Sequence, residues 1–106
     1  MMEVEDAPLM PSAEYVELQV PAGSATGTPR KVGTVYRKTV QVSGLTGGSI
    51  QLQGQIGDLG FENLGAAIVA DGFTLVEFSV DEIRAVSTAV VGSFAGTARA
   101  AVLGAY

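Results

Sequence analysis

Apolar and polar residues alternate along this chain in short runs cut by glycine and proline, and a period of two marks half-buried β-strands. Tyr15-Val16-Glu17-Leu18-Gln19-Val20 sets Val16, Leu18 and Val20 on one face. It stops at Pro21, which has no amide proton to give a ladder. Residues 22 to 29, rich in Gly, Ser and Thr, read as a mobile loop. A long strand is expected from about residue 32 to 43, with Tyr36, Val40 and Val42 opposed to Arg37, Thr39 and Gln41, followed by a turn over Gly44-Leu45-Thr46-Gly47-Gly48. Next, Ile50, Leu52 and Ile56 alternate with Gln51, Gln53 and Gln55. Gly54 stands where an inward side chain belongs, the mark of a bulge or a close backbone approach.

Gly57-Asp58-Leu59-Gly60 reads as a turn, Phe61-Glu62-Asn63-Leu64 as a short strand or bent segment, and Asp71-Gly72 as a tight turn. Residues 66 to 70 carry no clear pattern. Residues 73 to 80 resume strand character with Val76, Phe78 and Val80 inward, until Asp81-Glu82 breaks it. Residues 83 to 90 fit either a strand or a helix capped by Asp81, and the β-branched Ile, Val and Thr side chains favour the strand. After a turn over residues 92 to 96, a last strand from 97 to 103 is expected inside a sheet. Strands at intervals of about ten residues with glycine-rich turns predict an all-β fold, an antiparallel β-sandwich or small jelly-roll-like barrel over residues 14–106.

Residues 1–13 differ from this body. They are acidic, lack periodicity, and place Leu9 and Met10 between Pro8 and Pro11. They predict an extended N-terminal arm. Its two apolar residues suit docking on a neighbouring subunit, against the alternative of a frayed terminus.

Composition narrows the chemistry. The chain has no His, Cys or Trp, is 47% hydrophobic and only 16% charged. Metal sites and acid/base or nucleophilic machinery draw heavily on His and Cys, so a non-enzymatic role without cofactor or metal is expected. Asp58, Asp71, Asp81 and Glu82 have no calcium-loop spacing, and Asp-Gly is ordinary turn chemistry. The net charge of −5 sits in the first part of the chain, since from residue 21 onward six acids balance six bases. A neutral body argues against nucleic-acid binding. The one basic cluster, Arg30, Lys31, Arg37 and Lys38, reads as a solvated edge-strand face on a single strand. No apolar run approaches the roughly 20 residues that cross a bilayer, and the acidic start is unlike an export signal, so neither a membrane partner nor export is expected.

Two surface groups remain as candidate partner contacts. Gln51, Gln53 and Gln55 project from one strand face and can exchange hydrogen bonds with a sugar or another subunit. Tyr15, Tyr36 and Tyr106 are the candidates for a sugar-stacking platform, with the four phenylalanines expected in the core. The small residues Ala85, Ala89, Ala95, Ala98, Ala100 and Ala101 suit close approach of sheets or subunits.

The run Ser49-Ile50-Gln51-Leu52-Gln53-Gly54-Gln55-Ile56-Gly57-Asp58, then Phe61-Glu62-Asn63-Leu64-Gly65, and later Phe78-Ser79-Val80-Asp81-Glu82-Ile83-Arg84-Ala85, resembles small virion proteins of tailed bacteriophages. The likeness runs over about residues 32 to 103 as a pattern of strand, turn and aromatic. Asp58-Leu59-Gly60-Phe61 departs from it, standing where Asp-Gly and then tryptophan are commoner. The resemblance implies a capsid decoration or cement protein: a β-sandwich on the capsid surface of the virion, made in the host cytoplasm. It would bind the major capsid protein as a homo-oligomer, a trimer by analogy with the family. In that scheme Leu9 and Met10 anchor the arm. A tail or head-tail joining component and a carbohydrate-binding β-sandwich module stand as alternatives.

Overall fold

The computed structural model describes residues 14–32 and 37–104; the arm with Leu9 and Met10, and the tyrosines Tyr36 and Tyr106, lie outside the described residues. Among the described residues nine strands run in chain order: β1 (Glu14–Leu18), β2 (Gly23–Thr26), β3 (Arg30–Lys31), β4 (Lys38–Ser43), β5 (Leu45–Gln55), β6 (Glu62–Asn63), β7 (Gly72–Val76), β8 (Glu82–Gly92) and β9 (Arg99–Gly104). They form two antiparallel sheets. One has the order β1-β9-β4-β7, the other β2-β8-β5-β6, with β3 also paired to β8. If β2 and β3 are taken as one strand interrupted at 27–29, first pairs with last, second with seventh, third with sixth and fourth with fifth. That nesting is the winding of a jelly roll. The expected all-β sandwich is therefore what the chain forms, and the last strand lies inside its sheet.

Alternation builds the core. Leu18 on β1, Val40 and Val42 on β4, Ile50 and Leu52 on β5, Ile83 and Ala85 on β8, and Ala100 and Val102 on β9 all point between the sheets and are buried. The small side chains of Ala85, Ala98 and Ala100 lie in this layer, where they let the sheets close on each other. Gly54 is a close approach, since a Cβ there would lie 2.9 Å from Val80 and 3.0 Å from Leu64.

Several elements differ from the pattern reading, each for a physical reason. Residues 23–26 are strand β2 and not a loop, because the eleven-residue β8 offers a backbone ladder that small residues join as well as large ones. The Ser24 hydroxyl accepts a hydrogen bond from Ala89 N at 2.9 Å, and Gln19 Oε1 accepts from both Thr28 N and Thr28 Oγ1. The turn expected over residues 44 to 48 is Gly44 alone. Its φ of +77° carries the chain from one sheet into the other, while Asp71 accepts hydrogen bonds from Gly44 N and Leu45 N. A Cβ on Gly44 would meet the Phe94 ring at 2.4 Å at a positive φ, so any larger residue strains the backbone and displaces that ring.

The strand expected over residues 73 to 80 ends at Val76, and Phe78 is exposed and not inward. None of the four phenylalanines enters the core, whose hydrophobic members among the described residues are aliphatic: Phe73, Phe78 and Phe94 are exposed and Phe61 is half-buried. Nor do the four basic residues share a strand. Arg30 and Lys31 lie in the five-stranded sheet and Lys38 in the other, where its inward position leaves it 1% exposed while Arg30, Lys31 and Arg37 stay in solvent. Burial disfavours the ammonium charge of Lys38 and lowers its pKa.

Candidate docking face

The antiparallel register of the four-stranded sheet sets its outward residues in rows. Tyr15, Leu103, Thr39 and Leu75 face one another across β1, β9, β4 and β7, and beside them run Glu17, Ala101, Gln41 and Phe73. Directly paired residues share a face, so inward Val40 and Val42 force Thr39 and Gln41 outward, and the neighbouring strands follow. The result is an apolar surface open to solvent. Phe73 is 74% exposed and Tyr15 68%, with Leu75 and Leu103 near half. Tyr15, Thr39, Gln41, Phe73, Ala101 and Leu103 rim a depression of about 340 Å³.

One end of this face is charged. Arg99 grips Glu17 with two parallel hydrogen bonds of 2.7 and 2.9 Å, and its guanidinium carbon lies 5.7 Å from the Phe94 ring centre. Arg99 holds the Glu17 carboxyl below its ordinary range, and Glu17 in turn raises the pKa of Arg99. Phe94 is carried there by a two-residue hairpin, Phe94 and Thr97 exchanging backbone hydrogen bonds of 2.9 and 3.1 Å around Ala95 and Gly96. The Thr97 hydroxyl donates to Val20 O at 2.6 Å and pins that hairpin to the chain two residues past β1.

The glutamines singled out by alternation lie on the other sheet, half-buried, with their amides engaged inside the chain. Gln51 Nε2 donates to Leu52 O and Gly65 O, both at 3.0 Å. Gln53 accepts from Arg84 Nε and donates to Asn63 Oδ1, each at 2.9 Å. Gln55 donates to Glu82 Oε1 at 2.6 Å and accepts from Gly60 N at 3.1 Å. Arg84 also covers Phe61, its guanidinium carbon 3.9 Å from the ring centre, a cation–π stack. These contacts strap residues 60–65 onto the sheet.

Two of the acids considered for calcium clamp backbone instead, Asp71 at the Gly44 corner and Asp81 by accepting from Gly57 N at 3.1 Å, while Glu82 accepts from Gln55. Among the described residues no three Asp or Glu side chains converge as metal ligands, and no helix is long and apolar enough to cross a membrane. Of the residues named from sequence as candidate contacts, Tyr15 and Ala101 are the described ones that belong to the apolar face. Leu103, Leu75 and Phe73 were missed, and the signal that could have found them is parity: Leu103 adjoins buried Val102, Leu75 adjoins buried Val76, and Phe73 shares the parity of Leu75. Comparison of the chain with protein-family models, with curated proteins and with solved structures finds no match.

Proposed function

We propose that this chain is a non-enzymatic structural protein of a virus particle, a decoration or cement protein that binds the outside of a bacteriophage capsid. The observation that carries this reading is the open apolar face of the four-stranded sheet. Hiding one side chain the size of Leu or Phe from water contributes about 1.5–3 kcal/mol, and this face presents four large ones in adjoining rows. Contiguous exposed apolar surface on a small domain marks a binding site for another macromolecule. The resemblance of residues 32 to 103 to virion proteins supplies the partner class, the major capsid protein, and a homo-oligomeric state. Leu9 and Met10 would add a second anchor.

In mechanism, the face covers boundaries between capsid subunits. A ligand that binds only the assembled lattice stabilises it by mass action, and no bond is made or broken. The test is quantitative mass spectrometry of purified particles, counting this chain against the major capsid protein. A ratio near one per capsid subunit supports the reading. A few copies per particle move the chain to the tail or the head-tail joint, and absence from particles refutes both.

The aromatic rims Tyr15 and Phe73 with the polar Thr39 and Gln41 between them favour one second reading, a carbohydrate-binding module stacking a sugar ring in the depression. A glycan array distinguishes it: signal lost on Tyr15→Ala supports the sugar, and an array without signal ends that reading.

A further inference from the structure

We propose that β7 is the contact through which two copies of this chain join, edge to edge, into one continuous eight-stranded sheet. β7 closes the order β1-β9-β4-β7; one side of it pairs with β4, and the other has no backbone partner among the described residues. Exposed edges are usually blunted by a charge, a proline or a bulge. Gly72-Phe73-Thr74-Leu75-Val76 has none of these, and its register with β4 is unbroken over all five residues. The opposite edge of the same sheet is treated differently: Arg30 Nη1 caps the carbonyl of Glu17 on β1 at 2.8 Å. The surroundings of β7 are apolar on the outer face and mixed at the edge, where Glu77 joins Leu64, Leu75 and Phe78. Phe73 and Leu75 project outward, a cleft of about 450 Å³ opens between residues 64–66 and 74–78, and beyond it Phe78, Ile56 and Leu59 are exposed.

A second copy fits this edge because antiparallel pairing about a two-fold axis is self-complementary. The register that uses the whole strand puts Thr74 opposite Thr74 of the second copy. Phe73 then lies across from Leu75 of that copy, twice, an aromatic–aliphatic cross-strand pair on the outer face. Beyond the strand ends Glu77 comes opposite Asp71 of the second copy. Glu77 is already paired with Arg37 at 3.3 Å, and the Asp71 carboxylate accepts from two backbone amides. The two apolar faces join into one surface of doubled width. The arrangement is two-fold, unlike the trimer of the family analogy. It needs a second copy but no capsid, so the capsid reading can fail without it.

Sedimentation velocity on the full chain tests it. The native protein is expected to be a dimer that dissociates on dilution. F73K/L75K places like charges across both pairs and is expected to be a monomer with an unchanged circular dichroism spectrum, whereas F73E/L75K sets opposite charges across them and is expected to restore the dimer. The chain has no cysteine, so register can be read independently. An oxidised mixture of F73C and L75C chains is expected to give the mixed disulfide-linked dimer in preference to either self-linked one. A native monomer at all concentrations, a trimer, or a dimer indifferent to F73K/L75K overturns the proposal. Should F73K/L75K lose its fold, the cysteine mixture decides alone.

Discussion

The two sheets of this sandwich share one core and wear different outer surfaces. On the five-stranded sheet the outward side chains include Gln51, Gln53, Gln55, Glu82 and Arg84, tied to one another, to Asn63 and to the backbone of residues 60 and 65 by hydrogen bonds of 2.6 to 3.1 Å, with Phe61 under Arg84 and Val86 opposite Gln51. On the four-stranded sheet the corresponding positions are Tyr15, Leu103, Leu75 and Phe73, which stand open to solvent. The first surface is satisfied internally. The second becomes satisfied only when another apolar surface covers it. A β-strand has two parities, and each sheet commits one of them to the core; the difference between the sheets is what the other parity is used for.

The largest effect expected on this comparison is at the shared core. Ile50→Ala removes a fully buried side chain between the sheets and is expected to cost about 2–5 kcal/mol in urea unfolding, undermining both surfaces together. Next comes the bare face. Y15S/L103S replaces two facing residues by small polar ones, and is expected to weaken binding to empty capsids about 100-fold or more, the loss of some 3 kcal/mol of apolar contact. The urea midpoint of the isolated chain should hardly change. If binding is unaffected, the two surfaces do not differ in the way proposed here.

The strapped face should behave inversely. Arg84→Ala breaks the stack on Phe61 and the bond to Gln53, and is expected to lower stability by about 1 kcal/mol while leaving capsid binding intact. Smaller still is the hairpin that carries Phe94 to the charged end of the bare face. Ala95 and Gly96 have φ of +55° and +90°, the geometry of a type I′ turn, which favours Asn-Gly. Ala95→Asn is expected to raise stability by about 0.5–1 kcal/mol, measured as an upward shift in Tm.

The smallest effect is in pH dependence. Lys38 has a lowered pKa in the fold, so between that lowered value and the ordinary 10.5 the unfolded chain binds more protons, and stability should rise with pH across the window. Lys38→Met should flatten that rise. The slope has the same sign at the exposed Glu17, whose pKa is also lowered: its contribution is present above the ordinary 4.5 and lost as pH falls through the lowered value.

The jelly roll was largely readable because alternation is a strong signal wherever one parity is plainly polar, as in Gln51 to Gln55. It was ambiguous where both parities are apolar. In Phe73-Thr74-Leu75-Val76 the heavier pair is Phe73 and Leu75, yet Thr74 and Val76 turn inward, because Thr74 is opposite Val40 and must share its face. The inward Val76 read from the pattern carries the same parity, and the register with β4 agrees with it, against the expectation that Phe73 lies in the core. Phe78 fails for a different reason, since the chain leaves the strand after Val76 and its parity stops counting. Gly44 hid its role because a one-residue corner between sheets has the same composition as an ordinary hairpin turn. Among the described residues the candidate face was legible at Tyr15, whose exposure follows from Val16 and Leu18, and at Phe73 and Leu75 through the inward Val76; Leu103 needed the register of β9 with β4.

The most direct test of the central claim is hydroxyl-radical footprinting of the chain free and bound to capsids, read side chain by side chain. The account predicts that Tyr15, Phe73, Leu75 and Leu103 are labelled in the free chain and protected when bound, while Phe61 and Val86 on the five-stranded sheet label equally in both states. Protection of Phe61 and Val86 with the four-stranded face still labelled would contradict it.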